Sequence, residues 1–195
     1  LIGDCLFGMN KVKKIIQSLK NFSHVGEDKK EITDINVCIK EAIVIVWNEL
    51  KYHCEINADY GELPETFCYP NRLNQIFMNL LINAAQAIQS NLAKDSSNKG
   101  TITISTQHDH EWVEVRVSDT GVGIPESIQA QVFDLFFTTK EVGAGTGQGL
   151  SLAHSIVVKN HGGHLTFESI PLCETTFIVR LPLAVVGAEC IGVNL

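Results

Sequence analysis

The chain has 195 residues, of which 45% are hydrophobic and 19% are charged, and its formal net charge at pH 7 is -7. This length and apolar content suffice for one substantial hydrophobic core. The acidic balance argues against nucleic acid as a partner, because a phosphate backbone requires a basic surface. No apolar run reaches the length of a transmembrane helix.

The first predicted element is a long helix over residues 1–24. Its apolar residues repeat every seven positions in two series: Ile2, Met9 and Ile16, and Cys5, Val12 and Leu19. Such a seam predicts either a helix that packs on the core of its own domain or a helix that joins a dimer or bundle. The polar residues 24–31 that follow predict a linker.

The next part of the chain predicts alternating strands and helices. A short strand in "EITDINVCI" leads into a helix over roughly 36–50, with Asp34 or Asn36 as its N-cap. Strands are predicted in "HCEINADY" and "TFCY", with a turn over residues 61–64 between them. A helix over about 70–90 follows, since its proline suits the first helical turn.

The second half begins with two strands, "TITISTQ" and "EWVEVRVSD", whose apolar residues alternate with polar ones. A short helix over 126–132, a helix over about 148–160 and strands near 163–169 and 174–182 complete the chain. These elements predict an α+β fold. It is a two-layer α/β sandwich in which helices cover one face of a mixed sheet, preceded by the long N-terminal helix.

The six cysteines show none of the spacings that are typical of zinc sites or disulfide frameworks, so they predict buried reduced thiols. They are Cys5, Cys38, Cys54, Cys68, Cys173 and Cys190. The chain begins at Leu1 and lacks a signal-peptide pattern. We therefore expect it to be a fragment of a longer protein.

Two asparagines on the helix over 70–90 need a reason, since asparagine is a poor residue for a helix interior. Asn79 and Asn83 lie four residues apart and therefore project from one face. One interpretation is surface solvation. The other is that their amide oxygens bind a hard cation such as Mg²⁺, which prefers oxygen ligands and keeps phosphates and waters as the others.

The stretch "SDTGVGIPES" places Asp119 at the end of a predicted strand and follows it with Gly121 and Gly123. A carboxylate there can accept a hydrogen bond from an exocyclic amine such as that of adenine, while the glycines allow close approach of the backbone. The alternative is an ordinary turn with glycine at positive φ.

A third pattern, "GAGTGQGLSLAH", has four glycines before a predicted helix. Its backbone N–H groups and the helix N-terminus suit phosphate binding, although a flexible linker is the alternative. The pattern lacks the GK[ST] of a Walker A loop and the preceding strand of a Rossmann fingerprint.

Taken together, the motifs resemble the ATP-binding catalytic domain of sensor histidine kinases, in the Bergerat (GHKL) superfamily. The segments "NQIFMNLLINAAQAI", "DTGVGIP", "FDLFFTTK" and "GTGQGLSLA" resemble its N, G1, F and G2 boxes. Residues 1–27 resemble the second helix of the dimerisation and phosphotransfer hairpin, which leaves 28–195 as the catalytic domain. The resemblance implies a cytoplasmic catalytic part, even if the parent protein is anchored in a membrane.

The resemblance also implies roles for individual residues. Asn83, with Asn79, would hold Mg²⁺ against the triphosphate of ATP, and Lys140 would reach a phosphate. Asp119 would bind the adenine amine in a pocket shaped by Gly121, Gly123 and Ile124. Residues 134–147 would form a mobile lid, and further nucleotide-binding residues lie in or beside it: Thr139, Gly145, Thr146, Gly147, Gly149 and Leu150. Gln148 departs from the family, which often has leucine there.

Two features distinguish a kinase from a hydrolytic ATPase of the same superfamily. Hydrolytic relatives carry a glutamate base four residues before the metal-binding asparagine, whereas this chain has Asn79, and an amide cannot take a proton from water. None of the seven histidines fits the H-E-x-x-x-P motif of the phosphoacceptor. We therefore expect the acceptor helix upstream of residue 1.

The expected partners are ATP, the phosphoacceptor helix of the same kinase and the receiver domain of a response regulator. A homodimer through residues 1–24 stays an open alternative. Two other functions also stay open: a hydrolytic ATPase, and a nucleotide sensor or docking module that transfers no phosphate.

Overall fold

The structure is a computed structural model that describes residues 29–91, 99–140 and 145–183. The predicted N-terminal helix over 1–24 lies outside the described residues. So do most of the loop after residue 91, part of the predicted lid and the segment after residue 183. Within the described residues no helix is long and apolar enough to cross a bilayer.

A five-stranded mixed sheet forms one layer of the molecule, with the strand order β2-β4-β5-β7-β6. Its strands are β2 (Cys54–Tyr60), β4 (Gly100–His108), β5 (Trp112–Asp119), β6 (His164–Ile170) and β7 (Glu174–Pro182). The β2–β4 pair is parallel and the other pairs are antiparallel, so the predicted mixed sheet is confirmed. The alternation of β5 holds as well, because Val113, Val115 and Val117 are buried.

Two long helices, α1 (Ile35–Leu50) and α2 (Pro70–Asn91), form the second layer. The side chain of Asp34 caps α1 by accepting a hydrogen bond from the backbone N–H of Asn36 at 2.8 Å. The two helices pack against each other and, with the sheet, enclose one apolar core. The buried residues of α2 follow helical periodicity: Leu73, Ile76, Phe77, Leu80, Leu81, Ala84, Ala85 and Ile88.

The short strands were predicted without their partners. β1 (Glu31–Thr33) and β3 (Thr66–Cys68) pair antiparallel as a separate two-stranded sheet. The prediction of one mixed sheet is therefore incomplete. The pairing joins residues more than thirty positions apart, and three-residue strands carry no signal that names a partner.

The shorter helices also differ from their predicted bounds. α3 (Glu126–Gln129) is a single turn rather than a helix to residue 132. α4 (Gly149–Ser155) continues into a π-helical segment, Ile156–Asn160, where the sequence predicts one regular helix. Apolar periodicity does not reveal a local widening of the helix, because the same face stays buried on both sides of it.

Of the four cysteines in the described part of the chain, three are buried reduced thiols, as predicted, and one is not, while Cys5 and Cys190 lie outside the described residues. Burial raises the pKa of Cys38 to about 12 and that of Cys54 to about 11, and Cys68 is buried as well. Cys173 is exposed in the turn between β6 and β7, which contradicts the prediction of a buried thiol. Residues 171–173 reverse the chain between two neighbouring strands, and a side chain in such a reversal does not have to point into the core.

His161 joins the end of the π-helical segment to the start of α2. Its Nε2 accepts a hydrogen bond from the backbone N–H of Tyr69 at 3.2 Å, so its Nδ1 carries the proton and donates to the carbonyl of Ile156 at 3.1 Å. Both ring nitrogens are satisfied only in the neutral form. Desolvation lowers the pKa of His161 below its ordinary value of 6.5.

We expect this histidine to make folding stability depend on pH. As the pH falls, the unfolded chain binds this proton at a higher pH than the folded chain does. The contribution of neutral His161 to the free energy of unfolding is therefore complete above pH 6.5 and decreases as the pH falls below that value. His161→Ala should cost about 1 to 2 kcal/mol at neutral pH and flatten this slope, because the Tyr69 N–H loses its acceptor. Denaturant unfolding across the pH range measures both effects. The exposed His110 provides the control, and an unchanged slope in His161→Ala would contradict the assignment.

Candidate functional site

Asp119 ends β5 in the interior of the molecule, with only 3% of its surface exposed. Its Oδ1 accepts a hydrogen bond from the backbone N–H of Gly121 at 2.9 Å. Desolvation raises the pKa of the carboxyl to about 6, although the Gly121 hydrogen bond lowers it, and nearby Glu174 raises it further. A buried carboxylate with one hydrogen bond is costly, which marks a candidate binding site.

The second carboxylate oxygen of Asp119 is available to a ligand. Its Oδ2 accepts no hydrogen bond from any residue that the structure describes. An ionised carboxylate accepts hydrogen bonds at both oxygens and donates none. This oxygen can therefore accept from an external N–H donor such as the exocyclic amine of adenine.

The two glycines after Asp119 are required by the packing of the loop itself. A Cβ on Gly121 would lie 2.5 Å from the Cβ of Ala87 on α2, and Gly123 has φ of 65° with its added Cβ 2.2 Å from the carbonyl oxygen of Ile170. The backbone N–H of Val122 also donates to the carbonyl of Ala87 at 3.3 Å. The glycines thus place the loop directly on α2 and on the β6–β7 hairpin.

Ile124, the last predicted residue of this loop, is half-buried and packs against the core. Its backbone N–H donates to the hydroxyl of Ser169 on β6 at 2.8 Å. The sequence prediction missed Ser169, and it also missed Thr175, the buried register partner of Asp119 on β7. Both residues lie more than forty positions away, and no local pattern marks them.

Asn79 and Asn83 are half-buried and lie on one face of α2. The Nδ2 of Asn79 donates to the carbonyl of Gly149 at 3.1 Å, which joins α2 to the start of α4. The amide of Asn83 has no hydrogen-bond partner among the described residues. Simple surface solvation does not account for Asn79, while the amide oxygen of Asn83 accepts no hydrogen bond within the described part of the chain.

The glycine-rich segment is described from Gly145 onward, so the predicted lid over 134–147 is described only in part. The carbonyl of Gly147 accepts from the backbone N–H of Phe136 at 2.9 Å. Gly147 has φ of 63°, and a Cβ there would lie 2.4 Å from the carbonyl carbon of Phe136. Only glycine therefore fits at position 147, where the segment turns back along the F-box residues.

The remaining predicted residues lie close to this segment. Thr139 is exposed, Leu150 packs against the core, and the hydroxyl of Thr146 accepts from the backbone N–H of Gln148 at 3.4 Å. A Cβ on Gly145 would lie 2.6 Å from the hydroxyl of Thr138. These contacts bring the lid residues to the N-terminus of α4.

Lys140 reaches across to α2. Its ammonium donates to the side-chain carbonyl of Gln86, which lies one turn beyond Asn83 on the same face. Loss of surrounding water lowers the pKa of Lys140. Gln86 is a further residue that the sequence prediction missed, although its i+3 spacing from Asn83 was a usable signal.

One face of α2 thus contacts every part of the candidate site. Asn79 meets the start of α4, Asn83 lies one turn further along the same face, and Ala87 meets the loop after Asp119. Residues 79 and 87 lie about 12 Å apart along the helix axis. The structure therefore brings together the asparagines, the buried aspartate and the glycine-rich segment.

Comparison with known proteins agrees with this arrangement. Residues 68–185 match the model of the family described as histidine kinase-, DNA gyrase B- and HSP90-like ATPase. The chain belongs to this family. The fold is also that of histidine kinase catalytic domains. The nucleotide-free catalytic domain of histidine kinase ThkA is 27% identical with a TM-score of 0.67, covering 80% of this chain and 96% of ThkA's.

Curated relatives from this ATPase family are longer than the chain. The signal transduction histidine-protein kinase AtoS of Escherichia coli is 31% identical over 189 residues, which covers 94% of this chain but 29% of AtoS. The sensory histidine kinase/phosphatase NtrB of Rhodobacter capsulatus is 29% identical over 188 residues, with 89% of this chain and 50% of NtrB covered. The chain thus spans half or less of these relatives.

Asp119→Asn should stabilise the folded protein. The carboxyl pKa is raised from 3.8 to about 6, so the buried anion opposes folding above that range. Removing the charge should add about 1 to 3 kcal/mol at neutral pH, and the gain should shrink as the pH falls toward 3.8. Thermal or denaturant unfolding measures it.

Asp109→Asn is the matched control for this experiment. Asp109 is exposed and accepts from the backbone N–H groups of Glu111 and Trp112, which lower its pKa, so its replacement should not stabilise the protein. A less stable Asp119→Asn would show that the carboxylate contributes to the fold rather than to binding.

Proposed function

We propose that the chain is the ATP-binding catalytic part of a two-component sensor histidine kinase. It would bind Mg-ATP and transfer the γ-phosphoryl group to a histidine outside this chain, for relay to an aspartate of a response regulator. One observation carries the proposal: the Oδ2 of the buried Asp119 accepts no hydrogen bond from the described residues, and it lies beside a loop that requires glycine at positions 121 and 123. Family membership and the kinase relatives support it.

At the purine end, Asp119 accepts a hydrogen bond from the adenine amine. The fixed Gly121 N–H holds the carboxylate in place through Oδ1, so Oδ2 is already oriented when the base arrives. Gly121 and Gly123 let the loop lie close to the base, and Ile124 packs nearby. Because the site is desolvated, a matched donor is favoured and a carbonyl at the same position is rejected.

At the triphosphate end, the residues present suit a magnesium ion. Amide oxygens are hard ligands, and the amide of Asn83 is free of internal hydrogen bonds among the described residues. Asn79 uses its nitrogen on Gly149, which leaves its oxygen for the ion or its waters. Bound Mg²⁺ would neutralise charge on the phosphates. No cluster of three His, Cys, Asp or Glu that could hold a metal occurs in the described ranges.

The protein's own part in phosphoryl transfer is positioning and charge stabilisation. The backbone N–H groups of Gly145, Thr146, Gly147 and Gly149 would be offered to the phosphates ahead of α4. Lys140 would exchange Gln86 for a phosphate oxygen. Thr146 supports the same segment through Gln148 and Leu150 through its packing on the core, and the exposed Thr139 would contact the nucleotide.

The residue at position 79 favours transfer over hydrolysis. An amide cannot remove a proton from water, and Asn79 is already held by Gly149.

Leu135 and Phe136 expose 55% and 63% of their surfaces beside the glycine-rich segment. Exposed apolar side chains at this place suit docking of the phosphoacceptor helix.

Asp119→Asn should abolish tight binding of Mg-ATP, because an asparagine amide replaces the anionic acceptor that the adenine amine requires. We expect at least a tenfold loss of affinity, from the strength of a hydrogen bond to a charged group. Isothermal titration calorimetry measures it, with Asp109→Asn as the control. Wild-type affinity in Asp119→Asn would contradict the proposed base site.

Mg-ATP should label a histidine-bearing dimerisation hairpin that is added in trans. Asn83→Ala should reduce the rate about 10- to 100-fold, since loss of a metal ligand weakens the site. Radiolabel transfer from γ-labelled ATP measures the rate, and a phosphate-release assay without the hairpin runs in parallel. Sustained release without acceptor would favour a hydrolytic ATPase. Binding without any labelling would favour a nucleotide sensor.

A further inference from the structure

We propose that Ser169, on β6, is a positioning residue for the base-binding loop that follows Asp119. The inference rests on the proposed function, because it concerns the same site. The loop is held from two sides. Its contact with α2 involves Gly121, which belongs to a recognisable motif, whereas its contact with the β6–β7 hairpin involves Ser169, which does not.

The hairpin contacts every residue of the loop from Val122 to Ile124. The carbonyl of Val122 accepts from the backbone N–H of Leu172 at 2.7 Å. Gly123 lies against the carbonyl of Ile170, where an added Cβ would be 2.2 Å away. The N–H of Ile124 donates to the Ser169 hydroxyl at 2.8 Å. This hydroxyl is the side-chain group through which the hairpin holds the loop.

The hydrogen bonds of Ser169 use its full capacity. A serine hydroxyl has one donor and two acceptor sites. It donates to the carbonyl of Glu174 at 2.9 Å and accepts from the N–H of Ile124. The hydroxyl of Thr175 lies 3.0 Å away and donates to the remaining acceptor site. Alanine at position 169 would leave the Ile124 N–H and the Thr175 hydroxyl without their common acceptor and the Glu174 carbonyl without this donor.

This network ends beside the buried carboxylate. Thr175 is the register partner of Asp119 across β5 and β7, and only 2% of its surface is exposed. Ser169 therefore links the loop on one side of the base site to the strand that adjoins Asp119. Without the hydroxyl, the loop keeps its contact with α2 and the Val122–Leu172 hydrogen bond, but the backbone at Ile124 is no longer held against β6.

The strained backbone of the hairpin turn supports the same conclusion. Leu172 has φ of 61° and exposes 83% of its surface, so no side-chain packing accounts for its conformation. A positive φ is unfavourable for leucine. The conformation directs its N–H toward Val122, which is a second link between the turn and the loop.

The test compares ATP with inosine triphosphate, whose base carries a carbonyl where adenine carries the amine. Ser169→Ala should lower the affinity for ATP roughly tenfold, because the half-buried N–H of Ile124 loses its acceptor. The affinity for inosine triphosphate should change much less, so the preference for ATP shrinks. Ser169→Thr keeps the hydroxyl and should restore the preference.

Ser118→Ala is the matched control. The Ser118 hydroxyl also bonds a threonine across the β5–β7 pair, Thr176 at 2.8 Å, but it does not contact the loop. Its replacement should leave the preference for ATP unchanged. A purely structural role for Ser169 would change the unfolding free energy of both alanine variants and the base preference of neither.

The outcomes separate this inference from the proposed function. If the unmodified chain does not bind ATP, the proposed function fails. If it prefers ATP and Ser169→Ala keeps that preference, or Ser169→Thr does not restore it, only the inference fails. Amide hydrogen exchange of Ile124 in the unmodified chain tests the same bond without a variant: slowed exchange supports it, and exchange at the unprotected rate overturns it.

Discussion

The buried carboxylate of Asp119 is the constraint on which the rest of the site depends. It lies at the end of a central strand, where desolvation opposes its charge and a single backbone N–H only partly compensates. A fold selected for stability alone would place an asparagine or an apolar residue there. The charge is therefore a stability cost that binding can offset, because only a ligand with a matching donor satisfies the second oxygen.

A single helix sets the distances within the site. Successive turns of α2 contact the start of α4 through Asn79, present Asn83, and support the loop after Asp119 through Ala87. Because a buried helix is rigid, the purine end and the triphosphate end keep a fixed separation. The glycine-rich segment and the loop after Asp119, which the β6–β7 hairpin supports from its other side, then determine how each end of a nucleotide is held.

Much of the fold follows from local sequence patterns, for reasons that can be stated. Alternating valines define β5, the apolar periodicity defines α2, and Asp34 marks the start of α1 by its capping hydrogen bond. The patterns do not predict the π-helical turn after Ser155, the separate β1–β3 sheet or the exposure of Cys173. The β1–β3 sheet depends on a partner more than thirty positions away, and the other two depend on how the helix and the turn are placed in the fold.

By itself, the sequence determined the order of the elements and the kinds of residue in the site: a carboxylate, two amides and glycines at fixed spacings. These are local properties, since a strand end, a helix face and a turn each depend on residues that are close together in the sequence. Only the tertiary structure decided which polar atoms of the site already have a hydrogen-bond partner within the protein. The hydroxyl of Ser169 meets the Ile124 N–H, and Lys140 meets Gln86, across 45 and 54 positions of chain. Hydrogen bonds over such separations depend on how the layers pack, which no local pattern encodes.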